Sequence, residues 1–245
     1  MNISKERLDK ILVVRGIAQT TAKAKALIMA GNIIVNEKKI TKAGTFFPSN
    51  IKIRLIKKNE GWVSRGGIKL NHVLDELRID IKNKICTDLG ASTGGFTEVL
   101  ISRGAKHVYS VDVGKGLLSS RLESNKKVTV IDKRNVRYLN LLDINPSIEV
   151  ITCDLSFISL TKALENILTA FLHNFKIIAL IKPQFELEKN KIGKKGIVTD
   201  INYRLEAIEK VKKYFSEKKL KVVTILQSPI KGAKGNIEYF IYAKK

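Results

Sequence analysis

The chain has 245 residues, with 45 Lys and Arg against 23 Asp and Glu and a formal net charge of +22. That length buries a core in one large or two smaller domains without staples. Two cysteines, Cys86 and Cys153, each in an apolar stretch and without C-x-x-C or histidine spacing, exclude a disulfide scaffold and a zinc site and fit a reducing, cytoplasmic compartment. The N-terminus carries charges where a signal peptide needs its apolar core, and the most apolar stretch, 163–181, is broken by Glu165, His173 and Lys176, so neither secretion nor membrane spanning is expected.

Residues 1–60 hold 13 basic and 4 acidic residues, about twice the net charge per residue of the rest. The 35 lysines to 10 arginines leave room for a compositional bias, but the uneven distribution favours a polyanionic partner, nucleic acid. Leu8, Ile11 and Leu12 share one helical face that Gly16 ends; Thr20 or Thr21 caps a second helix from Ala22 to Ala30, stopped by Gly31. Strand-like residues 33–35 and 38–40 flank a turn at Asn36, and Ile51, Ile53 and Leu55 alternate as a further strand. The segment RLDKILVVRGIAQTTAKAKALIMAGNIIVNEKKITKAG resembles the ribosomal-protein-S-four-type RNA-binding domain over residues 6–55. The resemblance implies two helices laid along structured RNA, with Lys5, Arg7, Lys10, Arg15, Lys23 and Lys25 as contacts; on an ordinary helix such residues are a solvated face.

The polar stretch KKNEG, 57–61, reads as a linker. We divide the chain into an RNA-binding domain over 1–58, a linker over 59–63 and a second domain over 64–245. Strands are expected at 85–89, 107–113, 128–132, 149–154, 176–181, 220–227 and 237–243, with helices at 67–77, 94–103, 160–172 and 201–218. This alternation is the sign of an α/β fold, a parallel sheet with helices on both faces. The last two strands, joined by the short loop SPIKGAKGN, are expected to form an antiparallel hairpin at the sheet edge.

Asp88, Asp112, Asp132, Asp154 and Lys182 each fall at or just past the carboxyl end of an expected strand, where open α/β sheets place their ligands. After the first of these strands comes DLGASTGGFTEVL, a glycine-rich turn into a helix. Dinucleotide spacing would need glycine at 92, where backbone approaches a pyrophosphate; Ser92 stands there, against NAD or FAD. S-adenosylmethionine has no pyrophosphate and needs an open turn plus an acid for its ribose hydroxyls, and Asp112 is placed for that acid. The segment thus offers Asp88, Gly90, Ser92, Thr93, Gly94, Gly95 and Phe96, with Asp112 and Asp132, as cofactor-binding candidates. No metal-ligand cluster is present in the pattern, so no metal is expected.

VSRGGIKL, DLGASTGGFTEVLISRGA, CDLSFISL, LIKPQFE and SPIKGAKGNIEYF, in that order, resemble the TlyA family of ribosomal-RNA ribose 2′-O-methyltransferases, once labelled haemolysins, whose catalytic domain is FtsJ-like (RrmJ-like). The resemblance implies a Rossmann-like methyltransferase sheet, S-adenosylmethionine as methyl donor, and a cytidine ribose in 23S rRNA, in some members also in 16S rRNA, as substrate within ribosomal subunits. A monomer is expected. Relative to the family's E-x-T-N-x-R-Y-L, the segment IDKRNVRYL has Asp132 for the acid and Arg134 for the threonine, so the resemblance is weakest on the adenine side.

FtsJ-type enzymes use a Lys-Asp-Lys-Glu tetrad, which the resemblance carries onto Lys69, Asp154, Lys182 and Glu238. A ribose hydroxyl is a poor nucleophile at neutral pH, so a group must accept its proton or orient its oxygen. Lys182 serves as base only if its pKa falls well below ~10.4; burial and Lys69 push it down, Asp154 and Glu238 push it up. Both roles stay open at this point. A non-catalytic rRNA-binding assembly factor is the competing reading, and it predicts a broken tetrad or a filled glycine turn. A pore-former predicts a long membrane segment.

Overall fold

The computed structural model describes residues 5–29, 33–36, 38–55, 61–140, 143–144, 147–170, 173–232 and 234–245. The chain falls into two compact units, Met1–Gly61 and Trp62–Lys245.

In the first unit the elements run β1 (Lys5–Arg7), α1 (Leu8–Val14), α2 (Thr21–Met29), β2 (Ile33–Val35), β3 (Lys38–Ile40), β4 (Phe46–Pro48) and β5 (Ile53–Leu55). Leu8, Ile11 and Leu12 of α1 pack with Ala24 and Ile28 of α2 and Ile33 and Val35 of β2. Gly16, at φ +67, takes the left-handed turn that ends α1, and Thr20 Oγ1 accepts from Lys23 N at the start of α2. Ala30 and Gly31, the expected end of α2 and its stop, lie outside the described residues. Two sheets form: an antiparallel three-stranded one, β3-β2-β5, and the pair β1-β4. The β1-β4 pair was not expected, because three-residue segments such as Lys5–Arg7 show no readable alternation and are made strands by their distant partner.

The second unit runs α3 (Arg65–Glu76), β6 (Ile85–Leu89), α4 (Gly95–Ser102), β7 (His107–Val111), α5 (Ser120–Glu123), β8 (Val128–Ile131), β9 (Val150–Cys153), α6 (Leu160–Ala163), α7 (Glu165–Ala170), β10 (Lys176–Ile181), α8 (Pro183–Glu186), α9 (Ile201–Glu217), β11 (Lys221–Gln227) and β12 (Tyr239–Lys244). Seven strands form one sheet in the order β11-β12-β10-β9-β6-β7-β8. β6 to β10 are parallel; β12 lies antiparallel between β10 and β11, so the expected hairpin is at the edge. Leu70, Val73, Leu74, Phe96, Val99 and Leu100 of α3 and α4 cover one face. Leu164, Ile167, Leu168, Ile208, Val211 and Phe215 cover the other.

Two expectations change here. The single helix over 160–172 is interrupted at Leu164, whose ψ is 0; Phe171 lies outside the described residues, while Ala163, Leu164, Ile167 and Leu168 are buried as expected. Strands β7, β8 and β9 also stop short, so that Asp112, Asp132 and Asp154 lie in the loops just beyond them.

Candidate active site

The order of the sheet reverses between β6 and β9, the switch point at which open α/β sheets bind ligands. From β6 the chain turns through Gly90, Ser92 and Gly94, all in the left-handed region at φ +84, +49 and +98. A Cβ on Gly90 would lie 2.8 Å from the Asp154 carbonyl oxygen, so glycine is what lets this turn meet the end of β9. Ser92 carries its side chain in a conformation L residues rarely adopt, and its N–H donates to Asp112 Oδ2 at 2.8 Å. Asp112 Oδ1 accepts from Gly114 N at 2.8 Å, which ties the turn after β6 to the loop after β7.

A cleft of about 530 Å³ opens between these loops and the 134–137 and 154–158 segments. Gly90, Ser92 and Asp112 line it, together with apolar Val113, Leu117 and Val136. It adjoins a smaller cavity of about 200 Å³ lined by Thr93, Gly95, Phe96, Asp154 and Lys182. Three of the cofactor-binding candidates stand elsewhere. Asp88 is fully buried below the turn, where its carboxylate accepts from Thr97 Oγ1 at 2.7 Å and Thr152 Oγ1 at 3.2 Å. Burial pushes its pKa up to about 7, against the opposing pull of those two hydroxyls. Asp132 lines neither cavity; its Oδ2 accepts from Gly116 N at 2.7 Å and steadies the loop that carries Leu117. Gly94 packs against Leu118 and Leu122.

The four residues carried over from the tetrad arrive from four elements and meet as two ion pairs. Lys69, on α3, pairs with Glu238, just before β12, at 2.6 Å; both are buried. Lys182, just past β10, pairs with Asp154 at 2.6 Å and donates to Ser156 Oγ at 2.8 Å. A third cavity, about 390 Å³, is lined by Lys69, Lys182, Glu238, Gln184, Phe157 and Phe185 among others. Ser156 lines all three cavities, so they meet beside Lys182. Asn236, buried, shapes the far wall: its Oδ1 accepts from Val198 N at 2.9 Å and its Nδ2 donates to Gly196 O at 2.8 Å, locking the 193–198 and 228–236 loops together.

Several cavity-lining residues are not among the expected site residues. Phe157 is 90% exposed at φ +65 and packs its ring 5.3 Å from Phe185. Gln184 Oε1 is buried without a hydrogen-bond partner and its residue lines the third cavity. Arg134 and Arg137 line the large cleft. Both cysteines are buried; burial pushes the Cys86 thiol up to about 12 and Cys153 upward as well, which leaves them as packing groups. Among the described residues no group of three or more His, Cys, Asp and Glu is placed to hold a metal ion.

In the first unit Lys5, Lys10, Lys23 and Lys25 are exposed. Arg7 and Arg15, the two arginines among the expected contacts, also bond within the fold. Arg7 makes two hydrogen bonds to buried Asp9, at 3.1 and 2.7 Å, and Arg15 donates to the carbonyls of Ile51, at 2.7 Å, and Ser49.

The FtsJ-like methyltransferase model matches residues 62–245 and the S4 domain model residues 6–49. The 16S/23S rRNA (cytidine-2′-O)-methyltransferase TlyA of Mycobacterium tuberculosis is 36% identical over 97% of this chain and 89% of its own length. The chain belongs to the TlyA family of FtsJ-like methyltransferases. A solved structure from Streptococcus thermophilus that carries the haemolysin label superposes with a TM-score of 0.77 at 33% identity, covering 99% of this chain and 89% of that one. An S-adenosylmethionine-dependent methyltransferase from Mesorhizobium loti shares the fold alone, with a TM-score of 0.53 at 11% identity over 71% of this chain and 96% of that one. Among the described residues, no helix is long and apolar enough to cross a membrane.

Proposed function

We propose that this chain transfers the methyl group of S-adenosylmethionine to the ribose 2′-hydroxyl of a cytidine in ribosomal RNA, in 23S rRNA first, with 16S rRNA as a second candidate. The observation that carries the reading is the pair of lysine–carboxylate contacts where the large cleft and the third cavity meet. A factor that merely bound RNA would need neither the paired lysines nor an open glycine turn.

The residues present fit the cofactor. Asp112, at the rim of the cleft, suits the ribose hydroxyls; Val113, Leu117 and Val136 suit the adenine; the turn from Gly90 to Gly95 leaves room for the methionine portion toward Lys182. When bound, S-adenosylmethionine supplies a methyl group on a positively charged sulfur. Lys182, which pairs with Asp154 and donates to Ser156, lines the space proposed for the 2′-oxygen, while Lys69 and Glu238 offer a donor and an acceptor to the rest of the ribose. In a transfer that moves the methyl carbon from the sulfur to the 2′-oxygen, the hydroxyl proton would go to Lys182 only with its amine unprotonated, and to water with Lys182 as an ammonium that orients the oxygen.

Asp112→Ala is expected to weaken S-adenosylmethionine binding about 10- to 100-fold, the range for removing a hydrogen bond to a charged group. Calorimetry in the presence of chelator measures this, and unchanged affinity would remove Asp112 from the cofactor site. In the first unit, neutralising Lys10 and Lys25 together is expected to weaken binding to all RNAs and to reduce the slope of log K against log salt by up to about 0.9 for each phosphate left without its lysine. A salt slope equal to that of the unaltered protein would mean that the basic balance there is only composition.

A further inference from the structure

The sheet of the second unit sorts its charges by edge. The carboxyl edge holds the aspartates and Glu238 of the site. At the opposite edge the strand register brings a lysine to six of the seven strands. Lys221 of β11 lies opposite Lys244 of β12, which lies opposite Lys176 of β10. Lys84, Lys106 and Lys127 immediately precede β6, β7 and β8, and the backbone bonds Lys106 N to Lys84 O and Val108 N to Lys127 O, both 2.8 Å, align them. The seventh strand, β9, contributes Glu149, which pairs with Lys84 at 2.7 Å; Asp80 is the other acid acting on Lys84. At the strand spacing of about 4.8 Å the row spans about 29 Å. A cavity of about 260 Å³ in its middle is lined by Lys84, Glu149, Lys176 and Lys244, with Lys245 beside them.

We propose that this row is a second RNA-binding surface, a contact with a phosphate backbone on the side of the sheet away from the methylated nucleotide. The proposal rests on the ribosomal-RNA reading above. The occupant follows from the chemistry of the row. Its cations are all lysines, point charges on flexible stems that suit phosphates without reading bases, and, interrupted once by Glu149 at β9, they extend over a length that a phosphate backbone supplies. Strands of five or six residues separate the two edges by about 17–20 Å. The row therefore meets a different segment of the RNA from the one that offers its ribose, and the catalytic unit sits between two segments of one folded RNA.

The test compares two variants of the full chain with equal reduction of charge. Lys106→Gln with Lys127→Gln alters the row; Lys212→Gln with Lys213→Gln alters α9. Binding to transcribed 23S rRNA is measured from about 50 to 200 mM salt. The row variant is expected to bind about tenfold more weakly and its salt slope to fall by up to about 1.8, with the α9 variant within about twofold of the unaltered protein. Calorimetric affinity for S-adenosylmethionine should be the same in all three proteins. Equal weakening in the two variants, or none in the row variant, would overturn the proposal and leave the lysines as a solvated edge. If the unaltered protein neither binds nor methylates the RNA, the ribosomal-RNA reading has failed, and the row with it.

Discussion

Lys182→Met is expected to lower the single-turnover methylation rate by about three orders of magnitude, within the range for removal of a positioned proton acceptor or orienting group. Affinity for S-adenosylmethionine is expected to stay within about twofold, because the cofactor's proposed ribose and adenine contacts come from the loops after β6, β7 and β8. Methionine keeps most of the side-chain volume, which is buried, and gives up the ion pair to Asp154 and the bond to Ser156. Near-normal turnover would take Lys182 out of the mechanism. The pH–rate profile of the unaltered enzyme separates its two roles. A rate that rises with pH through a group titrating below the free-lysine value of ~10.4 marks a general base, and a flat profile marks a lysine that only orients the hydroxyl.

Asp88→Asn is expected to change how stability depends on pH. The carboxyl of Asp88 titrates near 3.8 when exposed and is pushed up to about 7 in the folded chain by burial. A raised carboxyl means that the folded state binds more protons than the unfolded state between these values. The stability linked to protonated Asp88 is therefore fully present below about pH 4 and is lost as pH rises toward 7. Three pH units correspond to about 4 kcal/mol. The variant has no proton to lose, and the reorientable hydroxyls of Thr97 and Thr152 can still bond its amide. Urea unfolding of both proteins from pH 4.5 to 7 should show the variant gaining on the unaltered chain as pH rises. A constant difference would mean that Asp88 titrates as an ordinary carboxylate.

Asp88 also marks where reading from sequence stops. The acids at strand ends and the glycine turn were legible because α/β sheets bind ligands beyond their carboxyl ends. Yet Asp88 is the fourth residue of a five-residue strand, paired across the sheet with Ser110 and Thr152, so its side chain is enclosed. Asp112 and Asp154 lie one residue past their strands and reach the cleft. A shift of one or two residues decides between core and site, and apolar runs do not fix strand ends to that resolution. The bonds that Arg7 and Arg15 make within the fold were not legible, because their partners, Asp9 beside the first and the carbonyls of Ser49 and Ile51 far along the chain from the second, are engaged only once the fold is formed. Phe157 was hidden for the converse reason: an apolar residue in an apolar stretch is read as core, and its left-handed backbone, which turns the ring outward, leaves no mark in composition.

The position of β12 has a consequence in time. This strand is the last of the sheet to be synthesised, yet it lies between β10 and β11, and Glu238 stands at its start. While the chain is still emerging from the ribosome, β10 has a bare edge, β11 has no neighbour and Lys69 has no carboxylate. A nascent chain thus has neither the Lys69–Glu238 ion pair nor the completed sheet until residues 239–244 have cleared the exit tunnel. A premature stop a dozen residues from Lys245 would discard the acid and the strand together, and would leave two unpaired strand edges as a template for aggregation.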